Sequence, residues 1–222
     1  MSYTAFDIIG PIMIGPSSSH TAGAVRLGQM ARIILNEEPA KVKMLLHGSF
    51  AETFKGHGTN LALTAGLLGM STADERIPCA NELAHEAGIE IQYISADLGD
   101  VHPNSVRFEL VGRTGRQVTV TGSSVGGGKI LVNEIDDFPV ELTGEYNTLI
   151  TVHQDQPGVL AQICSLLAAT QVNIAQMRVF RDRKGAQALA VIETDEQVES
   201  AVLDLINRLH PVIQAIAAKP VA

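Results

Sequence analysis

TLITVHQDQPGVLAQICSLL, residues 148–167, decides how the last third of the chain folds. Thr148, Ile150 and Val152 alternate, so they share one face of a strand that runs into HQDQPGVL. Val159, Leu160, Ile163, Leu166 and Leu167 then recur at helical spacing, with Asp155 placed to cap the helix and Pro157 suited to its first turn. Two more strands are predicted at residues 172–180 and 186–193, separated by the turn DRKG. Thr194 and Gln197 have capping-box spacing and open a second helix, with Val198, Val202, Leu205 and Leu209 inward. The apolar residues 212–217 read as a closing strand.

The order βαββαβ is that of a ferredoxin-like unit. It follows EIDDFPVELTGEY, residues 134–146, an acidic stretch carrying Pro139 and Gly144 that reads as a connector. The expected fold class is therefore α+β, a mixed α/β domain at residues 1–144 followed by the βαββαβ domain at 145–222.

The 222 residues are 45% apolar, enough to bury a real core in one large or two modest domains. No stretch approaches the length of a membrane span, and the start MSYTAFDIIG lacks a signal-peptide layout, so cytoplasm is the expected location. A net charge of -8, 4% aromatics and no Trp offer no basic patch for nucleic acid. The expected partners are small molecules or proteins.

Upstream, GPSSSHT at residues 15–21 sets Ser17, Ser18 and Ser19 against His20, followed by Thr21. Leu27, Met30, Ala31 and Ile34 recur at i, i+3, i+4 and i+7, so residues 21–35 read as an amphipathic helix with a serine cap. A helix start presents unpaired N–H groups that hold a carboxylate or phosphate, and an imidazole beside them can move a proton. At any single such junction, one capping serine in a polar turn is the plain reading. Three hydroxyls and a histidine shaped by Gly15 and Pro16 point instead to a ligand site.

HGSFAETFKGHGT, residues 47–59, follows an apolar stretch at 42–46 that reads as a buried strand. His57 stands between two glycines, in a loop before a helix at about 59–68, and is suited to meeting a substrate alongside Ser49 and Thr59. His47, at the strand end, reads as a satisfied core residue. In the middle of the chain, residues 78–87 read as helical, and 90–95, 106–111, 117–121 and 129–133 as strands. His102 and Asn104 fall on a loop within HPNS, where they either bind a carboxylate or ammonium or simply shape a turn. Gly126, Gly127, Gly128 and Lys129 form a possible anion nest but lack the spacing of a nucleotide-binding loop.

Taken in order, GPSSSHT, HGSFAETFKGHGT, HPNS and GGGK resemble the iron-sulfur-dependent L-serine dehydratases, and specifically the beta subunit of the two-subunit form. The resemblance covers essentially the whole chain and implies a lyase converting L-serine to pyruvate and ammonia. It implies that residues 1–144 are of the allosteric-substrate-binding type, similar to a domain of some phosphoglycerate dehydrogenases. The βαββαβ segment, with DQPGVL between first strand and first helix, resembles an ACT domain, a module that commonly binds amino acids or ions and pairs its sheets between subunits. Its expected effector contacts are Asp155, Gly158, Val159 and Asn173, with His102, Asn104 and the glycine run as further effector candidates.

Cys79 and Cys164 are the only thiols and make no metal or disulfide pattern, whereas an iron-sulfur cluster takes three or four thiolates. The resemblance thus implies a 4Fe-4S cluster held on an alpha subunit, with a monovalent cation as a further candidate and the two cysteines as small buried hydrophobes. The expected assembly is a hetero-oligomer with that subunit, α2β2 by analogy, self-associating through the ACT domain. For the β-elimination of serine, His57 is the first candidate catalytic group and His20 the second. Ser17, Ser18, Ser19, Thr21, Ser49 and Thr59 are expected to orient substrate.

The main rival is a non-catalytic amino-acid sensor. A pyridoxal phosphate enzyme lacks support because none of Lys41, Lys43, Lys55, Lys129, Lys184 or Lys219 sits in a suitable cofactor loop. A hydroxyacid dehydrogenase lacks its GxGxxG unit.

Overall fold

The computed structural model describes residues 11–53 and 56–221, so the opening MSYTAFDIIG and Lys55 lie outside the described residues. The chain divides into two compact units between Asp137 and Phe138.

In the first unit a π-turn, Ser18–Gly23, runs directly into α1, Ala24–Leu35, so the expected helix starts three residues earlier and more widely wound. Leu27, Met30, Ala31 and Ile34 are all buried, as their spacing predicts. Asn36 stops the helix in the left-handed conformation, its N–H donating to Arg32 and Ile33 carbonyls. Next come β1 (Pro39–Leu46), α2 (Gly48–Thr53), α3 (Thr59–Leu67), a 3-10 turn (Ile77–Cys79), α4 (Ala80–Glu86) and β2 (Glu90–Ser95). Three long strands, β3 (Ser105–Gly112), β4 (Gln117–Gly126) and β5 (Lys129–Ile135), complete the unit in the order β2-β1-β3-β4-β5. The pairs β1–β3, β3–β4 and β4–β5 are antiparallel and β1–β2 parallel. α1 packs on β4, where Leu27 lies against Gly122, and crosses α3 at two facing glycines, Gly28 and Gly66.

The second unit opens with β6 (Phe138–Leu142). The stretch expected to be a connector is therefore largely strand, turned sharply at Asp136 and Asp137, whose φ values are 46° and 67°. Then follow β7 (Asn147–Gln154), α5 (Val159–Ala169), β8 (Ile174–Arg181), β9 (Gln187–Thr194), α6 (Ser200–Asn207) and β10 (Val212–Ala218). Their sheet order β10-β7-β9-β8 is the interleaved order of the expected ferredoxin-like unit.

Three local expectations are corrected. Gly158, at φ 90°, caps α5 in place of Asp155, because a left-handed residue turns the chain into the helix there. α6 starts at Ser200 because Thr194 is spent in β9, its hydroxyl donating to the Glu196 carbonyl. Leu205 is exposed and Ile206 is buried in its place. On β7 it is Leu149 that faces the helices, joining Val159, Ile163, Ile192 and Ile206 in the core. Ile150 on the other face is buried too, which explains why alternation alone left the inward face open.

Candidate active site

The site is built at one end of the first sheet, where β1 ends and β3 begins. Ser17, extended at φ -143°, caps the π-turn: its Oγ accepts the His20 N–H at 3.3 Å. Gly15 packs so closely on Thr21 that a Cβ there would lie 2.2 Å from the threonine Oγ1. The turn places the His20 ring between two hydroxyls, Ser17 Oγ at 3.4 Å from Nδ1 and Ser49 Oγ at 3.1 Å from Nε2.

Two rings flank this imidazole. Phe50, fully buried, meets it edge-on with centroids 5.4 Å apart, and His57 lies tilted against it at 5.1 Å. Burial, and secondarily the neighbouring His57, hold the His20 pKa below its ordinary value, with a hydrogen bond at Ser49 opposing. Its surroundings thereby favour the neutral imidazole, whose two nitrogens each face a serine hydroxyl. His57 itself is exposed, in a loop between α2 and α3 where its N–H donates to the Thr53 carbonyl at 3.0 Å. Gly58 next to it is left-handed, at φ 69°, and leads into α3.

The structure thus brings GPSSSHT and HGSFAETFKGHGT together, Phe54 and Lys55 of the latter lying outside the described residues. Ser17, Ser18, Ser19 and Ser49 are half-buried around His20. Thr21 and Thr59 are buried, and among the described residues neither hydroxyl has a hydrogen-bond partner, so each is left to a ligand or an ordered water.

HPNS reaches the same end of the sheet. The His47 N–H donates to the Ser105 carbonyl at 3.0 Å, and Gly48 packs on Pro103. His47 is satisfied, as expected: its Nδ1 accepts the Leu98 N–H at 3.1 Å, with Asp97 at 3.6 Å. His102 is exposed, and its Nδ1 accepts the Asn104 N–H at 3.1 Å, which leaves the proton on Nε2. Asn104 offers its carbonyl to Ser124. Gly126, Gly127 and Gly128, with φ of 104°, 60° and 80°, form the β4–β5 turn that ends at Lys129. The Gly128 carbonyl accepts from Arg26 at 2.6 Å, so the glycine run serves the hairpin and its packing on α1.

In the second unit the effector candidates separate. The Asp155 carboxylate accepts from Gly185 N–H at 3.0 Å and Arg181 Nη1 at 3.2 Å, clamping the β8–β9 turn. Asn173 is tied to Asp195 and Glu196 at the start of β8. β7 and β8 both run antiparallel to β9, so Gly158 and Val159 follow the end of β7 while Asn173 lies beside its beginning. Strands of this length separate them by roughly 25 Å, and one copy cannot place them on one small ligand.

Two features had no sequence signal. Phe50 reads as an ordinary core residue until His20 is set against it. Tyr93 Oη reaches Thr64 at 2.5 Å, Asn81 at 2.7 Å and the Asn60 carbonyl at 3.2 Å, tying α3 to β2 and α4. The cysteines depart from expectation: Cys79, at the end of the 3-10 turn, is exposed, and Cys164, within α5, is half-buried.

The hydroxyls and imidazoles thus cluster on an α+β unit, and a βαββαβ module follows it in the chain. The family model of the serine dehydratase beta chain matches residues 4–87, and that of the ACT domain residues 146–211. A probable L-serine dehydratase beta chain of Bacillus subtilis (strain 168) is 42% identical over 95% of this chain and 96% of its own length. The L-serine dehydratase beta chain of Peptoniphilus asaccharolyticus is 40% identical over 90% and 93%. D-3-phosphoglycerate dehydrogenase of Synechocystis sp. (strain ATCC 27184 / PCC 6803 / Kazusa) is 27% identical over 88% of this chain and 35% of its own. The chain belongs to the L-serine dehydratase beta chain family.

Proposed function

We propose that this chain is the beta subunit of an L-serine ammonia-lyase, active with an alpha subunit in the cytoplasm. The observation that carries the reading is the His20–His57 pair, 5.1 Å between ring centroids, set among the hydroxyls of Ser17 and Ser49. Whole-length likeness to two chains named L-serine dehydratase beta chain supports the substrate.

Serine loses its Cα proton and its hydroxyl. Two electrons from the Cα–H bond form the new double bond, the Cβ–O bond breaks, and the hydroxyl departs with a proton as water. The aminoacrylate tautomerises to an imine, which water hydrolyses to pyruvate and ammonia. His57, unshielded between its glycines, takes the Cα proton; His20, kept neutral by burial, accepts or passes a proton through Ser49. Ser17, Ser18 and Ser19 orient the carboxylate, and the buried Thr21 and Thr59 hydroxyls, without a partner among the described residues, are further candidates to bind it.

The thiols of this chain do not fit an iron-sulfur cluster. Cys79 and Cys164 fall in different units, and among the described residues no three His, Cys, Asp or Glu side chains gather to hold a metal. We therefore assign a 4Fe-4S cluster to the alpha chain, and leave any monovalent cation to the assembled enzyme. The second unit supplies self-association, with effector binding across two copies of Gly158 and Asn173.

The test is co-expression with the alpha chain, anaerobic purification through a tag on this chain, and an assay of pyruvate from L-serine. His57→Asn is expected to cut turnover on the order of 10²- to 10⁴-fold. Near-normal turnover with intact assembly would remove His57 from the reaction.

A further inference from the structure

We propose that Phe50 is a positioning residue for His20, holding the imidazole in the one orientation that reaches Ser17 and Ser49 together. The inference rests on the reading of His20 as a reacting group. Consecutive residues of α2 address that ring: Ser49 binds Nε2 at 3.1 Å and Phe50 presses on the ring with its plane at 62°. Serine hydroxyls rotate freely, so two hydrogen bonds of 3.1 and 3.4 Å leave the imidazole room to turn. A fully buried aryl wall removes that freedom and excludes water from one side of the ring.

α2 has six residues, too few to hold its own shape, and outside contacts fix Phe50. Its N–H donates to the His47 carbonyl at 3.1 Å and leans toward that of Pro103 at 3.5 Å. Gly48, left-handed at φ 52°, lets the chain approach until a Cβ would stand 2.7 Å from the Pro103 oxygen. The HPNS loop thereby braces the residue that braces His20. Among the described residues, the titratable group against the His20 ring is His57, and its other ring and hydrogen-bond contacts are with Phe50, Ser17 and Ser49.

Phe50→Leu and Phe50→Met, made in the complex with the alpha chain, keep an apolar side chain and remove the aryl edge. Each is expected to lower kcat on the order of tenfold or more, with KM for serine nearly unchanged. The acid limb of kcat/KM and the NMR titration of His20 should both move up toward the ordinary imidazole value as water reaches the ring. Wild-type kcat and an unmoved His20 titration in either variant, with His20→Asn inactive, would overturn the proposal and leave the reading of His20 standing. Full activity in His20→Asn would instead overturn that reading, and the His20 titration in Phe50→Leu would still decide whether Phe50 positions the ring. If neither variant folds, nuclear Overhauser contacts between the Phe50 and His20 ring protons in the unmodified complex decide it, their absence counting against.

Discussion

Alanine at Gly66 should destabilise the first unit, although helix propensity alone predicts the opposite. Gly66 lies inside α3, where exchanging glycine for alanine in a free helix gains about 1 kcal/mol. Here the added Cβ would stand 2.0 Å from the Val25 carbonyl oxygen and 2.8 Å from Gln29 N and Gly28 Cα, all on α1. Every obstacle is backbone, so no rotamer change relieves it. Carbon atoms pack at roughly 3.5–4.0 Å, so the two helices must part by about an ångström, and a gap of that size forfeits up to roughly half of each dispersion contact along the seam. Overpacking of this kind costs about 1–3 kcal/mol, and a backbone obstacle belongs at or above the top of that range. The net expectation is a loss of roughly 2 kcal/mol, or about 4–8 °C in Tm for a chain of this size. Gly28→Ala, whose Cβ would lie 2.3 Å from the Leu63 carbonyl, should behave alike. Circular-dichroism melting is the assay, and a Tm equal to or above the parent's would refute the reasoning. Because α1 continues the turn carrying His20 and α3 follows the loop carrying His57, serine turnover should fall alongside.

Removing the Tyr93 hydroxyl with Tyr93→Phe strands the buried Thr64 hydroxyl and the Asn81 amide, which should cost about 1–3 kcal/mol; an unchanged urea midpoint would count against the network. His153 is 3% exposed, with Nδ1 3.3 Å from Thr151 Oγ1, and burial holds its pKa below the ordinary 6.5 despite the opposing Thr151 bond and Asp155 charge. The unfolded chain then binds a proton at that position before the folded one does. Its contribution to stability is therefore lost as pH falls below about 6.5, progressively until the folded-state pKa is passed. Urea midpoints across that range should fall less for His153→Gln than for the parent, and parallel curves would exclude the effect.

The sequence by itself determined the elements whose cause is local. The stripe Leu27, Met30, Ala31, Ile34 made α1 legible, and the βαββαβ order held because each strand and helix of the second unit carries its own periodicity and turn. It also supplied the chemistry of the site, since serine, threonine and histidine declare their donors and acceptors without a fold. The tertiary structure alone decided how those groups meet. His20 and Ser49 are 29 residues apart and share a hydrogen bond only because the fold sets α2 against the π-turn. Phe50 and Tyr93 gained their roles from what packs on them, and Gly28 and Gly66 from a helix crossing that no spacing encodes. The Asp155 cap has the same origin: Asp155 has a capping residue's chemistry, but the β8–β9 turn offers its carboxylate a backbone N–H and a guanidinium, and a long-range partner wins over a local one.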